Sequence, residues 1–140
     1  SVWIALDDID RSNGAVEFVA GSHRWGVSYR PTPFRKGHEA KFTDSDLAVL
    51  PDIDSERDRH DIRWWTMAPG DCLVFHGMIV HGAPGNDTPG RRRRGLSLRY
   101  TGTDARYDPR PGTFQFPYRP DLEAGAPMTC ALFPRVWPRG

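Results

Sequence analysis

Residues 68–100 read APGDCLVFHGMIVHGAPGNDTPGRRRRGLSLRY, and the alternation of turn signals with short apolar runs in this stretch dictates a β architecture. Pro69-Gly70-Asp71 is a turn: proline presets φ, glycine accepts positive φ, and the aspartate bonds its own backbone. Cys72 to Phe75 and Met78 to His81 follow as apolar, partly β-branched or aromatic runs separated by Gly77, so each is expected to be a strand, the second ending at His81. Residues 82–90 are dense in Gly, Pro, Asn and Asp and make a loop; Gly95 to Tyr100 resumes as a strand.

Strand parity sorts the arginines after that loop. Arg93, Gly95, Ser97 and Arg99 share one polar face, and Arg94, Leu96, Leu98 and Tyr100 share the other, apolar one. Small residues beside Arg93 leave room for a bound group, and a guanidinium there would grip a carboxylate at two points, as a lysine would not. The stretch thus offers one strand-end histidine, His81, and one inward arginine, Arg93, with Arg92 as the alternative.

Outward from this stretch, Val2 to Leu6 alternates as a strand with Trp3 and Ala5 on one face. Asn13-Gly14 is a hairpin signal, and Ala15 to Ala20 is expected to run back as the paired strand. Asp61 to Met67 reads as a strand whose Trp64 and Trp65 face opposite ways, one to the core and one beneath a loop. From Arg24 to Arg63 prolines and charges dominate. Thr43 to Asp46 followed by Leu47 to Leu50 suggests a short capped helix there, and the segment as a whole a lid, an insert or a solvated surface excursion. Thr103 to Gly140 carries Phe114, Phe116, Tyr118, Phe133 and Trp137 and reads as an ordered tail, since linkers lack such aromatics.

At 140 residues the chain is long enough for one domain with a core, and 13 prolines with 14 glycines argue against a helical bundle. Lys+Arg 19 against Asp+Glu 18 gives a net +1, so charge points to neither nucleic acid nor an anionic membrane, and Arg91 to Arg94 reads as a solvated run. No apolar run approaches the ~18 residues of a membrane span. Cys72 in an expected buried strand and the distant Cys130 suit free thiols in a reducing cytoplasm.

VWIALDD near the start, NGAVEFVAGSH at residues 13–23, APGDCLVFHGMIVHGAPGN at residues 68–86 and RRGLSLRY at residues 93–100 resemble the phytanoyl-CoA dioxygenase family of iron- and 2-oxoglutarate-dependent oxygenases. The resemblance implies a double-stranded β-helix, a jelly-roll or cupin-like barrel, holding Fe(II) by two histidines and a carboxylate. His81 looks like the second histidine ligand, Arg93 like the partner of the far carboxylate of 2-oxoglutarate, and Trp3 like a residue lining the cosubstrate pocket. Ala83 stands where some members have a serine that touches the cosubstrate. His76 lies five positions before His81, so only one of the two is expected to reach iron, and the family pattern selects His81. His23, in the GSH corner, is expected to hold the turn, and His38 and His60 are not expected to bind metal.

The resemblance also implies a His-x-Asp ligand pair, and no His-x-Asp or His-x-Glu occurs in the sequence. The chain opens inside the matching strand and is expected to be the C-terminal portion of a longer protein. The implied activity is hydroxylation of a small organic substrate by O2, with 2-oxoglutarate converted to succinate and CO2. A small residue in place of the missing Asp would mark a halogenase. An iron-free binding module and a cupin-like barrel with another metal are the rival readings.

Overall fold

The computed structural model describes residues 1–30, 47–109, 118 and 120–137. Ser1–Ser28 with Leu50–Tyr100 form one compact unit, and Tyr29–Val49 with Thr101–Gly140 form a second. The first unit carries six short strands: β1 (Val2–Ala5), β2 (Glu17–Val19), β3 (Ile62–Arg63), β4 (Cys72–Val74), β5 (His81–Gly82) and β6 (Gly95–Leu98). They form two antiparallel three-stranded sheets, in the orders β4-β1-β6 and β3-β2-β5. Among the described residues the only helical segments are single 3-10 turns, such as Arg11–Asn13 and Ser22–Arg24. The described chain is therefore all-β. No helix among the described residues is long and apolar enough to cross a membrane.

Register explains which side of the first sheet is inside. Trp3 lies opposite Leu73 on β4 and Ser97 on β6, and Ala5 lies opposite Gly95. Directly paired residues share a face, so Trp3, Ala5, Leu73, Gly95 and Ser97 form one side. That side meets the core of Ala5, Ile9, Ala15 and Met67, against which Trp3, Trp64 and Leu73 pack. A reciprocal bridge, Ile9 N–H to Met67 O and Met67 N–H to Ile9 O at 2.8 and 2.9 Å, ties the segment after β1 to the segment before β4. Aromatic contact joins the sheets: Phe75, just after β4, sets its ring edge on Phe18 of β2 at 4.9 Å.

The opposite face of the first sheet is apolar and faces solvent, with Val74 75%, Leu96 46% and Leu98 36% exposed. Cys72 lies on this face and is exposed, not buried as its apolar neighbours suggested, because β4 turns Leu73 to the core instead. The expected hairpin at Asn13-Gly14 is also replaced. The turn forms, with Gly14 at φ +90°, but β1 pairs with β4 and β6 while β2 pairs in the other sheet. Met78 to His81 is not a strand: Ile79 N–H bonds His76 O at 3.1 Å in a turn, and His81 opens β5 rather than ending a strand.

Trp64 packs on the core as expected, but both tryptophans follow the short β3, and Trp65, instead of lying beneath a loop, stays half exposed with its ring 6.0 Å from Phe18 of β2. Residues 31–46, the middle of the expected lid, lie outside the described residues, as do Phe114, Phe116 and the start of the expected helix. Its remainder, Leu47 to Leu50, is not helical; Ala48 instead forms a parallel bridge with Tyr29. Within the second unit, Tyr107 N–H bonds Ala126 O and Gly125 N–H bonds Tyr107 O, both at 2.8 Å, so the tail there carries an ordered antiparallel contact.

Burial sets a sharp contrast between the two faces. Ile9→Ala, at a fully enclosed site, is expected to cost about 2–5 kcal/mol in urea unfolding, whereas Val74→Thr on the outer face stays within about 0.5 kcal/mol of the parent.

Candidate functional site

The inner face of the first sheet is built around an indole. Trp3 lies flat across β6 at Gly95, where a Cβ would overlap the ring, so glycine is required for the two strands to stay in register. Arg93, just before β6, places its guanidinium carbon 5.3 Å from the Trp3 ring centroid, within cation–π reach. Its Nε is buried and has no hydrogen-bond partner. Burial lowers the Arg93 pKa from its ordinary value, yet a guanidinium starts so high that it stays charged. A desolvated cation with an unmet donor is a binding group for a carboxylate.

Arg91 and Arg94 are engaged with carboxylates, and Arg92 is held at its backbone. Arg94 Nε and Nη2 donate to Asp7 Oδ2 and Oδ1 at 3.0 and 2.8 Å, and the Arg94 backbone N–H also donates to Oδ2 at 2.9 Å. Arg91 Nη1 donates to Asp10 Oδ2 at 2.8 Å and to Ser12 Oγ at 3.0 Å. The Arg92 carbonyl accepts from Asn13 Nδ2 at 3.5 Å. Asn13 is fully buried; its Nδ2 also donates to Asp8 O and its Oδ1 accepts from Asp10 N–H, both at 2.8 Å. The Arg94 hydrogen bonds hold Asp7 down at about 2, and the Ser12 and Arg91 hydrogen bonds do the same for Asp10.

His81 stands in the second sheet, opposite Phe18. Its ring stacks on Phe18 at 5.8 Å and tilts against Phe75 at 5.0 Å. Nδ1 lies 2.8 Å from the Ile79 carbonyl oxygen, which only accepts, so the neutral ring carries its proton on Nδ1 and presents the Nε2 lone pair. That second contact is the one that orients a metal-binding imidazole. Among the described residues no group of three or more His, Cys, Asp and Glu converges to hold a metal.

The other histidines take different surroundings. His76 uses Nδ1 to accept from Met78 N–H at 3.1 Å and faces His23 with ring centroids 5.5 Å apart. His60 packs against Trp25 at 6.1 Å. Ser22, buried beside His23, accepts the Val80 N–H at 2.8 Å, so the GSH corner holds the residue preceding His81. Ala83 follows β5 and is exposed, its methyl group offering no hydrogen bond. The structure brings Trp3 and Arg93 together; His81 and Ala83 belong to the strand and exit of the other sheet.

Sequence reasoning passed over Asp7, Asp10, Asn13 and Gly95 as parts of the site. The available signal was the cluster of three aspartates at 7, 8 and 10 set against four arginines at 91–94, an opposite-charge pairing visible in the residues alone.

Residues 1–95 match the family model described as Phytanoyl-CoA dioxygenase (PhyH). The chain is 29% identical over 113 residues to the peroxisomal phytanoyl-CoA dioxygenase of Rattus norvegicus, an alignment covering 81% of this chain and 31% of the relative. It is 31% identical over 114 residues to a probable phytanoyl-CoA dioxygenase of Caenorhabditis elegans, covering 81% and 34%. Dioxygenase aneA of Aspergillus aculeatus is 29% identical over 126 residues, covering 90% and 34%. The chain spans about a third of the length of these curated relatives. No solved structure matches.

Two outcomes follow from the site geometry. Gly95→Ala is expected to cost about 1–3 kcal/mol in urea unfolding by driving Trp3 off its seat, while Gly77→Ala, with nothing near its Cβ position, is neutral. The Asp7 and Asp10 pKa values are depressed in the folded state, so their stabilising contribution is complete above the ordinary 3.8 and is lost as pH falls through about 2. Unfolding midpoints measured down through that window should fall less steeply for the Asp7→Asn, Asp10→Asn double variant than for the parent.

Proposed function

Because this chain belongs to the phytanoyl-CoA dioxygenase family, we propose that it forms part of an Fe(II)- and 2-oxoglutarate-dependent dioxygenase that hydroxylates a small organic substrate and releases succinate and CO2. On this reading its two sheets are the facing halves of a double-stranded β-helix. The observation that carries the proposal is the half-buried Arg93 guanidinium over Trp3, with Nε lacking a partner. A dicarboxylate cosubstrate supplies what that group lacks.

Arg93 binds the far carboxylate of 2-oxoglutarate through paired N–H donors, and the Trp3 ring beneath it keeps water from one side of the ion pair. Ala83 in place of serine leaves the cosubstrate one hydrogen bond fewer. His81, oriented by Ile79 O, offers Nε2 to iron, and the remaining ligands come from a His-x-Asp outside these residues. Iron, when bound, supplies the oxidative chemistry. The chain's own part is to orient the cosubstrate, hold one ligand and shield the site. Cys72 and Cys130, both free, suit the reducing cytoplasm as the compartment.

A second reading is an iron-free module that binds a dicarboxylate, which the Arg93 guanidinium over Trp3 would serve equally. It predicts 2-oxoglutarate binding without succinate.

The test is succinate formation by the full-length protein with Fe(II). Arg93→Ala should raise the 2-oxoglutarate requirement at least about tenfold, since a charged two-point contact is lost. Arg94→Ala should change it far less, and His81→Ala should abolish succinate. Equal losses at Arg92, Arg93 and Arg94 contradict the assignment of faces, and binding that survives with no succinate in the parent selects the iron-free module.

A further inference from the structure

Four adjacent arginines carry the same charge, and any of them would attract a carboxylate. A slip of one residue in the pairing of β6 would turn Arg92 and Arg94 inward and send Arg93 out, because side chains alternate with a period of two. Something must select the one that faces Trp3.

The contacts that do so all come from the segment between β1 and β2. Asp7 takes the Arg94 backbone N–H and both ends of its guanidinium with one carboxylate. Leu6 N–H bonds the Arg94 carbonyl at 3.1 Å, closing the same junction from the other direction. On the preceding side, buried Asn13 holds the Arg92 carbonyl while its remaining groups are anchored on Asp8 and Asp10. Arg91 is tied to Asp10 and Ser12. Residues 92 and 94 are therefore gripped on either side of Arg93, and the Arg94 and Arg91 cations are already paired with carboxylates.

We infer that Asp7 and Asn13 are positioning residues for Arg93: by fixing the backbone on both sides of it and engaging its charged neighbour, they reserve Arg93 for the incoming carboxylate. The inference rests on the reading of Arg93 as the cosubstrate anchor. It adds that the acidic turn after β1 sets the affinity for 2-oxoglutarate through Arg93, without touching the cosubstrate. Removal of Asp7 has two effects: the peptide before Arg94 loses its acceptor, and the Arg94 side chain becomes a second, misplaced cation beside the site.

The experiment is a double-mutant cycle on 2-oxoglutarate binding. Isothermal titration of the full-length protein, with Mn(II) in place of iron so that no turnover occurs, is carried out on the parent, Asp7→Ala, Arg93→Ala and the double variant. Asp7→Ala should weaken binding about fivefold where Arg93 is present and by less than about twofold where it is absent, the non-additivity expected of a residue that acts through another. Stoichiometry should stay unchanged, because a merely destabilised protein loses sites rather than affinity. Arg94→Ala keeps the backbone contact to Asp7 and should weaken binding by less than about twofold. If Asp7→Ala does not fold, Asp7→Asn preserves shape without charge and should show the same non-additivity at about threefold. Equal weakening by the Asp7 substitution in both backgrounds overturns the inference. A parent that binds no 2-oxoglutarate, or an Arg93→Ala variant that binds as well as the parent, instead removes the anchor and with it the reading on which the inference stands.

Discussion

The register of β1 between β4 and β6 is the constraint from which the rest of the first unit follows. With Trp3 opposite both Leu73 and Ser97, the aromatic ring, the core and Arg93 just before β6 are all placed on one side. A shift of one residue would expose Trp3 and bury Val2 and Ile4, reversing which face is inside. Two features lock this register: the close seat of the indole on Gly95, and the hydrogen bonds that fasten Arg94 to Leu6 and Asp7. Packing and electrostatics thus fix the same alignment from neighbouring positions.

The two sheets make different contributions. The first supplies a cation seated on an aromatic ring, held by an acidic turn. The second supplies an imidazole whose proton is fixed by a carbonyl oxygen and whose ring is wedged between Phe18 and Phe75. Phe75 leaves the first sheet and packs on the second, so the histidine's seat depends on both. The outward face formed by Val74, Leu96 and Leu98 is apolar and exposed.

Much of this was legible in the residues because it is local. Alternation in Val2 to Leu6 and in Gly95 to Tyr100 was enough to place Trp3 and Arg93 on polar or small-residue faces, and the structure sets those two side chains together. Partner choice was not legible. Asn13-Gly14 does form a turn with a left-handed glycine, but nothing local says that the chain then crosses to another sheet, and nothing marks Asn13 as a buried hub for three backbone groups. Cys72 to Phe75 is apolar throughout, so parity gave no hint that Cys72 would face out. In Met78 to His81 the β-branched pair Ile79-Val80 suggested a strand, while the ladder begins only at His81 because the preceding residues close a turn on His76.

The central claim is that, of the adjacent arginines, Arg93 alone is reserved for a carboxylate. The most direct measurement is the arginine Nε–H spectrum of 15N-labelled protein as 2-oxoglutarate is added, with the Arg93 signal assigned through its loss in Arg93→Lys. The account predicts that this resonance moves to a saturable end point as Nε gains its missing acceptor, while the resonances of Arg91 and Arg94, already paired with Asp10 and Asp7, stay in place. Movement of Arg92 or Arg94 with Arg93 unchanged would contradict it.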